Sequence, residues 1–476
     1  MTGSAGANPS RRAVLGGLAA AAAAPLLGSG PRLVHSGVAA APFLASPFTL
    51  YELDRDALPY VLTTPISLVD TEPHDSTGVR MILINGKLYD QPVDQAQYGL
   101  KLLESYRLNN DPAYLARALP QAQRLVDRHI VHGGWWYPYP FVWRIHQQFE
   151  TYNPPWFSMM AQGQAMSLFV RLYRLLGDAQ WKTAADQTFA TYSVAPVAGQ
   201  PWGVYTVGNL LWLELYPSPV AVRGDLTYNG HMWSMFGLYD YWQLTHDAGC
   251  ADLLRGALTT TRDAGPLVRQ PGWRSHYCVT HQVEGGKYHT YHMIENLYAC
   301  AMTRDPVFAR QADVFYGDYP PLSSGTVYFT PGGYTGYRFD ANGRILGRKA
   351  LSLTRASSAP DSDRGKVRNQ PGFWYQVSAG SLAGLEVQEY AGHAYQRGRY
   401  AELAYPIDRA GTVVKAPGRA YRLSSDAVLG SHLSTLRAGT AVTVRTRAVV
   451  DAVEYLELTS GADAGFWLVA STVHLT

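Results

Sequence analysis

From about Asp94 onward the chain alternates helix patterns with short aromatic loops, and this alternation limits the available folds more than any other feature. Asp111-Pro112 supplies an N-cap and a proline at the first helical position. Leu115, Ala118, Leu119, Ala122, Leu125 and Val126 then recur at three- and four-residue steps, the apolar face of a helix. The same reading predicts helices over 162–176, closed by Gly177, over 230–244 and over 292–303. Between them lie loops such as Gly133-Gly134-Trp135-Trp136-Tyr137-Pro138. Roughly 220 residues of this texture hold about eight helices of ordinary length. Short amphipathic helices joined by aromatic loops predict an α/α toroid, whole or incomplete, over residues 91–318, its open end lined by those loops.

The flanks read differently. Residues 42–90 are short and β-rich, with strand character at Tyr60-Val61-Leu62 and from Val79 to Asn85, and turns at Asp75-Ser76 and Asn85-Gly86. After Tyr319-Pro320-Pro321 the pattern turns to β again and repeats itself. Gly325-Thr326-Val327, a Pro-Gly turn and Phe373-Trp374 are answered by Gly411-Thr412-Val413, a second Pro-Gly turn and Phe466-Trp467. Two SH3-like β repeats are expected, at 322–386 and 408–476, each ending in a closing strand at Phe-Trp. Such units either hold a protein to an envelope or glycan, by analogy, or pack as an appendage.

Residues 1–41 read as an export signal. Ser10-Arg11-Arg12 precedes an alanine-rich apolar run from Ala13 to Leu27 and a small-residue cleavage site, Val38-Ala39-Ala40. The run is too short and too rich in alanine for a membrane span. A twin-arginine signal is expected, and an ordinary secretory signal would give the same extracytoplasmic location.

A net charge of +3 is too small for a nucleic-acid partner and is compatible with an acidic sugar polymer. The three cysteines, Cys250, Cys278 and Cys300, show no CxxC spacing, so neither a disulfide framework nor a structural zinc site is expected, and Cys278 reads as a buried thiol. Three tyrosines stand in polar loops: Tyr216 in Leu-Glu-Leu-Tyr-Pro, Tyr277 before Cys278, and Tyr288 after Lys287. With 32 tyrosines in the chain, position alone singles out none of them.

Their motifs do. Glu214-Leu215-Tyr216-Pro217, Tyr228-Asn229-Gly230-His231 and Gly237-Leu238-Tyr239-Asp240 resemble the EEYP, NGF and GLYD motifs of the D-glucuronyl C5-epimerases. Tyr277-Cys278-Val279-Thr280-His281 resembles their YDLRH motif, and Lys287-Tyr288-His289-Thr290-Tyr291-His292 their DYHTTH motif. Pro155-Trp156 through Gln164 and Gln97 through Leu100 match two upstream motifs, so the resemblance runs from about Gln97 to Asp313. It implies catalysis by Tyr216, Tyr277 and Tyr288, with Glu214, Asn229, His281, Lys287, His289, His292, Gln164 and Trp156 around the substrate. It also implies a glucuronate-containing acidic polysaccharide as substrate, a dimer, and no cofactor.

Inverting C5 of a uronate requires a base on one face of the ring and an acid on the other, with donors to hold the anion that forms. A tyrosine serves either role when positive neighbours draw its pKa down from about 10. Three departures from the family pattern stand out: Leu215 replaces a glutamate, Thr280 an arginine and Lys287 an aspartate. The missing arginine is the natural clamp for a carboxylate, so either Lys287 or a histidine replaces it or the substrate or activity differs. His289-x-x-His292, with His281 and Glu284 or Glu295, has ligand spacing, but the chemistry implied by the resemblance needs no metal there, and none is expected. Two other readings stay open. A lyase begins with the same proton abstraction, and a glycosidase would need a carboxyl pair from Glu214, Asp225 and Asp240. A catalytically inactive glycan-binding protein is the other.

Overall fold

The computed structural model describes residues 43–424 and 428–476 and divides into two compact units. The export signal expected at 1–41 lies outside the described residues. No helix among them is long and apolar enough to cross a membrane.

The first unit comprises the chain up to Val268 with His276–Gly285 and Ala301–Thr303. It opens with the hairpin β1 (Met81–Ile84) and β2 (Lys87–Asp90), turned by Asn85 and Gly86 at positive φ, as an Asn-Gly pair predicts. The strand expected at Tyr60 does not form. Tyr60 itself takes φ 69° and the surrounding segment is irregular.

Helices follow in antiparallel pairs: α1 (Pro92–Asn109) with α2 (Pro112–Arg128), α3 (Met159–Leu176) with α4 (Ala179–Ala190), and α5 (Tyr228–Thr245) with α6 (Ala248–Val268). Between them lie three small hairpins: β3 (Ile130–Val131) with β4 (Trp135–Trp136), β5 (Trp143–Arg144) with β6 (Thr151–Tyr152), and β7 (Val204–Val207) with β8 (Leu210–Leu213). Odd-numbered helices pack side by side, α1 on α3 and α3 on α5, and each carries its even-numbered partner. This two-layer order is the α/α toroid pattern, present here as three helical pairs.

One turn is reused throughout. The residue closing α1, α3 and α5 is left-handed (Asn110 φ 56°, Gly177 φ 71°, His246 φ 51°), and an aspartate follows. Asp111, Asp178 and Asp247 then accept from the N–H groups of Ala113, Gln180 and Cys250, satisfying donors that the helix itself cannot.

Two devices join the inner helices. At the α3–α5 crossing, a Cβ on Gly237 would lie 2.2 Å from the carbonyl oxygen of Gly163, so both positions need glycine. Farther along, Arg171 of α3 binds Glu104 of α1 at 3.2 Å and Asp240 of α5 at 3.1 Å, all three side chains buried. Asp240 therefore serves packing and is withdrawn from the carboxyls a glycosidase could use.

The second unit comprises Arg269–Ser275, Gly286–Cys300 and Arg304–Thr476. It holds most of α7 (Tyr288–Thr303) and all of α8 (Pro306–Asp318), joined by the same turn: left-handed Arg304, then Asp305 capping the N–H of Val307. Two seven-stranded sheets follow. The first comprises β9 (Ser323–Phe329), β10 (Gly332–Phe339), β11 (Ile345–Leu353), β12 (Ser357–Gly365), β13 (Trp374–Val377), β14 (Glu386–Gln388) and β15 (Ala394–Gln396). The second comprises β16 (Arg399–Val413), β17 (Gly418–Leu423), β18 (Leu429–Leu436), β19 (Ala441–Val450), β20 (Val453–Leu458), β21 (Phe466–Val469) and β22 (Val473–Leu475).

Their spatial orders, β11-β10-β14-β13-β12-β9-β15 and β18-β17-β21-β20-β19-β16-β22, are the same order shifted by seven strands. The internal duplication is thus present in the fold, and each copy is a seven-stranded sheet. The Phe-Trp pairs fall at the fifth strand of one copy and the sixth of the other, and β15 and β22 close the copies instead. Asp313 of α8 accepts from Tyr405 and Arg409 of β16, fixing the helix to the second sheet.

Candidate active site

The site in the first unit is built where β8 runs out. The Glu214 N–H donates to Gly203 (2.7 Å), and its carbonyl accepts from Met159, the first residue of α3 (3.0 Å). Glu214 and Tyr216 are thereby fixed at the start of an inner helix. Beyond Pro217 the loop turns back, held by Ser218 Oγ donating to Glu150 (2.6 Å), and crosses the Glu214 side chain at Gly224. Both Glu214 carboxyl oxygens accept from the Leu226 N–H (3.2 Å each), and one also accepts from the Tyr216 N–H (3.4 Å). Burial, and next the Asp225 carboxylate, push Glu214 up to about 8.

The segment from Tyr277 to His281 docks against this loop as a short antiparallel ribbon. Thr227 pairs with Cys278, and the N–H groups of Tyr228, Val279 and Thr280 donate to the carbonyls of Tyr277, Leu226 and Asp225. Two motifs distant in sequence are thus joined through their backbones. The Thr280 hydroxyl donates to Gly224 (3.0 Å), so the residue at the arginine position of the resemblance serves as a loop tie. Leu215, the other departure in this unit, is buried against Gly230 of α5.

His146 stands between two of the tyrosines. Its ring meets Tyr277 edge-on at 5.5 Å and 90°, and Tyr216 at 6.5 Å and 80°. Its Nε2 donates to Asp225 Oδ2 (3.0 Å), while His281 Nδ1 donates to Asp225 Oδ1 (2.5 Å) and Thr227 Oγ1 to Oδ2 (2.8 Å). Burial opposes the Asp225 charge, yet His146, His281 and Thr227 together hold its carboxyl below the ordinary range. Cys278 Sγ lies 3.6 Å from His146 Nε2. Phe149 stacks on His281 at 4.1 Å, and Trp143 on Tyr216 at 6.5 Å.

Glu214 and Asp225 have pKa values pushed apart, as in an acid/base pair. Both are fully enclosed, with their oxygens committed to local donors, so neither is presented to a glycosidic bond.

Other expected residues lie deeper. Trp156 stacks on Tyr139 at 3.9 Å, donates from its indole to Phe141 (2.9 Å), and lines a cavity of about 270 Å³ with Phe157, Trp202 and Pro217. Gln164 is fully buried on α3, with Ser167, toward the hydroxyl of Tyr60. Asn229 is buried in the first turn of α5 and Thr227 holds the cap position, so the capping role open to Asn229 is not taken.

In the second unit Tyr288 opens α7, four residues earlier than the sequence pattern suggests. Lys287 Nζ lies 5.5 Å from the centre of the Tyr288 ring. The Tyr288 hydroxyl is not drawn down: burial, and then neighbouring Tyr291, raise its pKa. His289 and His292 both face Ser275 Oγ, at 2.9 and 2.8 Å. His289 Nδ1 also accepts from the Ser275 N–H (2.9 Å), and its Nε2 donates to the carbonyls of Phe315 (3.0 Å) and Tyr319 (2.9 Å). With both ring nitrogens committed, His289 is a structural bridge and not a substrate donor, and burial lowers the pKa of both histidines. In the first unit, His281 groups with His146, Asp225 and Cys278. His146 is not singled out by the sequence because the four residues of the group lie in three separate segments, although Cys278-x-x-His281 is a legible signal.

Residues 131–315 match the family described as D-glucuronyl C5-epimerase C-terminus. A stretch of 123 residues is 32% identical to a D-glucuronyl C5-epimerase of Caenorhabditis elegans, covering 26% of this chain and 19% of that protein. The chain therefore matches under a fifth of that relative's length. Two solved cellobiose 2-epimerases overlap in part. The one from Spirochaeta thermophila has a TM-score of 0.39 at 14% identity, over 51% of this chain and 63% of that one. The one from Bacillus thermoamylovorans has a TM-score of 0.35 at 14% identity, over 48% and 59%.

Proposed function

Because the chain belongs, through residues 131–315, to the D-glucuronyl C5-epimerase family, we propose that it inverts C5 of glucuronate residues within an acidic polysaccharide. The observation that carries this reading is the convergence of Tyr216 and Tyr277, tyrosines of two separate motifs, on the ring of His146.

One tyrosine, as phenolate, takes the C5 proton and leaves a carbanion delocalised into the carboxylate. A second, as phenol, returns a proton to the opposite face. The sugar gains and loses one proton, and exchange with water resets the two phenols. Tyr288 enters this scheme by its motif, and its raised pKa suits the protonated partner to one of Tyr216 and Tyr277, the third tyrosine and a nearby cation binding the carboxylate. Export through residues 1–41, dimer formation and contact of the β repeats with glycan or envelope belong to the same proposal.

The test is incubation of the full chain with heparosan, chondroitin and alginate-type polymers in heavy water, following C5–H by NMR. Deuterium at C5 with intact chains and new iduronate-type signals is the expected result. A C4=C5 double bond would make the protein a lyase, and glycan binding without exchange on any polymer would make it a binding protein.

A further inference from the structure

We propose that His146, Asp225, Cys278 and His281 form a closed transition-metal site of the zinc class, beside the tyrosine pair. The four donor atoms, His146 Nε2, an Asp225 carboxylate oxygen, Cys278 Sγ and His281 Nδ1, lie within 4.8 Å of one another. Zinc bonds nitrogen and oxygen at about 2.0–2.2 Å and sulfur at about 2.3 Å, which sets tetrahedral edges of roughly 3.3 Å between N and O and 3.5 Å between N and S. The observed edges are 3.0 Å from His146 Nε2 to Asp225 and 3.6 Å from the same nitrogen to Cys278 Sγ. The His281 Nδ1–Asp225 Oδ1 edge, at 2.5 Å, is a direct hydrogen bond that would open by about 0.8 Å to seat the ion, while the two His146 edges need only a few tenths of an ångström.

The donor set selects the metal. Two imidazoles, a thiol and a carboxylate suit a borderline-soft tetrahedral cation, whereas calcium and magnesium demand six or more oxygens. Four protein donors leave no open position, which marks a structural rather than a catalytic centre. A support shell is present: Thr227 Oγ1 donates to Asp225, and Phe149 covers His281.

Each of the three contributing segments holds a non-glycine residue at positive φ, at a donor or next to one: His146 itself (48°), Leu226 (54°) and Gln282 (49°). Such conformations persist where surrounding contacts over-determine them, and they cluster at functional sites. The ion would tie the loop after Glu214 to the ribbon carrying Tyr277, the residue just before Cys278, and would fix that tyrosine in place.

The test uses the full chain, stripped with a chelator and titrated with Zn2+ and with Co2+. Expected are one equivalent of zinc retained through gel filtration and, with cobalt, tetrahedral visible bands plus a thiolate charge-transfer band. Cys278→Ser removes the charge-transfer band, and His146→Ala weakens binding at least ~100-fold, since even outer-shell partners are worth about 10–100-fold. Cys250→Ser, at a buried cysteine elsewhere, leaves both unchanged. Absence of stoichiometric uptake by folded wild-type protein, or uptake untouched by Cys278→Ser and His146→Ala, overturns the proposal. The readout is metal content and absorption, so it stands apart from whether the chain epimerises any polymer.

Discussion

Gly224 crosses the carboxyl of Glu214 so closely that a Cβ at this position would lie 2.0 Å from Glu214 Oε2. The same glycine carbonyl accepts from Thr280, so one residue both clears the carboxyl beneath it and ties the loop to the Tyr277 ribbon. Gly224→Ala is expected to cost about 1–3 kcal/mol of stability, as overpacking does, and to lower turnover by displacing the tyrosine loop. Urea denaturation of the variant checks the first part. A midpoint equal to wild type would mean that the loop yields freely.

Arg171 lies between two buried carboxylates on neighbouring helices, so its removal leaves Glu104 and Asp240 facing one another with less compensation. Arg171→Met is expected to destabilise by about 3–5 kcal/mol, the usual cost of breaking a buried pair from one side. Chemical denaturation measures this, and a loss below about 1 kcal/mol would contradict the structural role given to the triad.

His231 is fully buried, its Nδ1 accepting from the Leu213 N–H (3.1 Å) and its Nε2 donating to Ala257 (2.9 Å). Burial lowers its pKa to about 4. Between pH 4 and the unfolded value near 6.5 the unfolded chain binds the extra proton and the folded chain does not. Stability therefore rises with pH across this window and is flat above it as far as His231 is concerned. Lowering the pKa from 6.5 to about 4 makes the full change across this window ~3.5 kcal/mol. Urea midpoints from pH 4 to 7 should show a shallower slope for His231→Gln than for wild type, and equal slopes would assign the effect elsewhere.

What the sequence disclosed follows the range of each interaction. Helix ends were legible because their signals are local: Asp111-Pro112 and Gly177 lie where the caps form. The Glu104–Arg171–Asp240 triad was not, since its members come from three helices. The β duplication was visible in Gly325-Thr326-Val327 and Gly411-Thr412-Val413, which occupy equivalent strands, but the Phe-Trp pairs that resemble one another do not. Within the site, motif resemblance drew attention to Tyr216 and Tyr277, while His146 and the pairing of Asp225 with two histidines required the folded chain. His289 illustrates the reverse case, a histidine in a suggestive motif whose ring is occupied by Ser275, Phe315 and Tyr319.

The most direct measurement is C5–H exchange in heavy water by Tyr216→Phe and Tyr277→Phe, each verified as folded by circular dichroism, on the polymer that wild type epimerises. Replacing whichever of the two is the proton-transfer partner of Tyr288 is expected to slow epimerisation by about 10²–10⁴-fold, and replacing the other to weaken carboxylate binding. If both variants exchange C5–H at the wild-type rate, the tyrosine pair around His146 is not the proton-transfer machinery and the account fails.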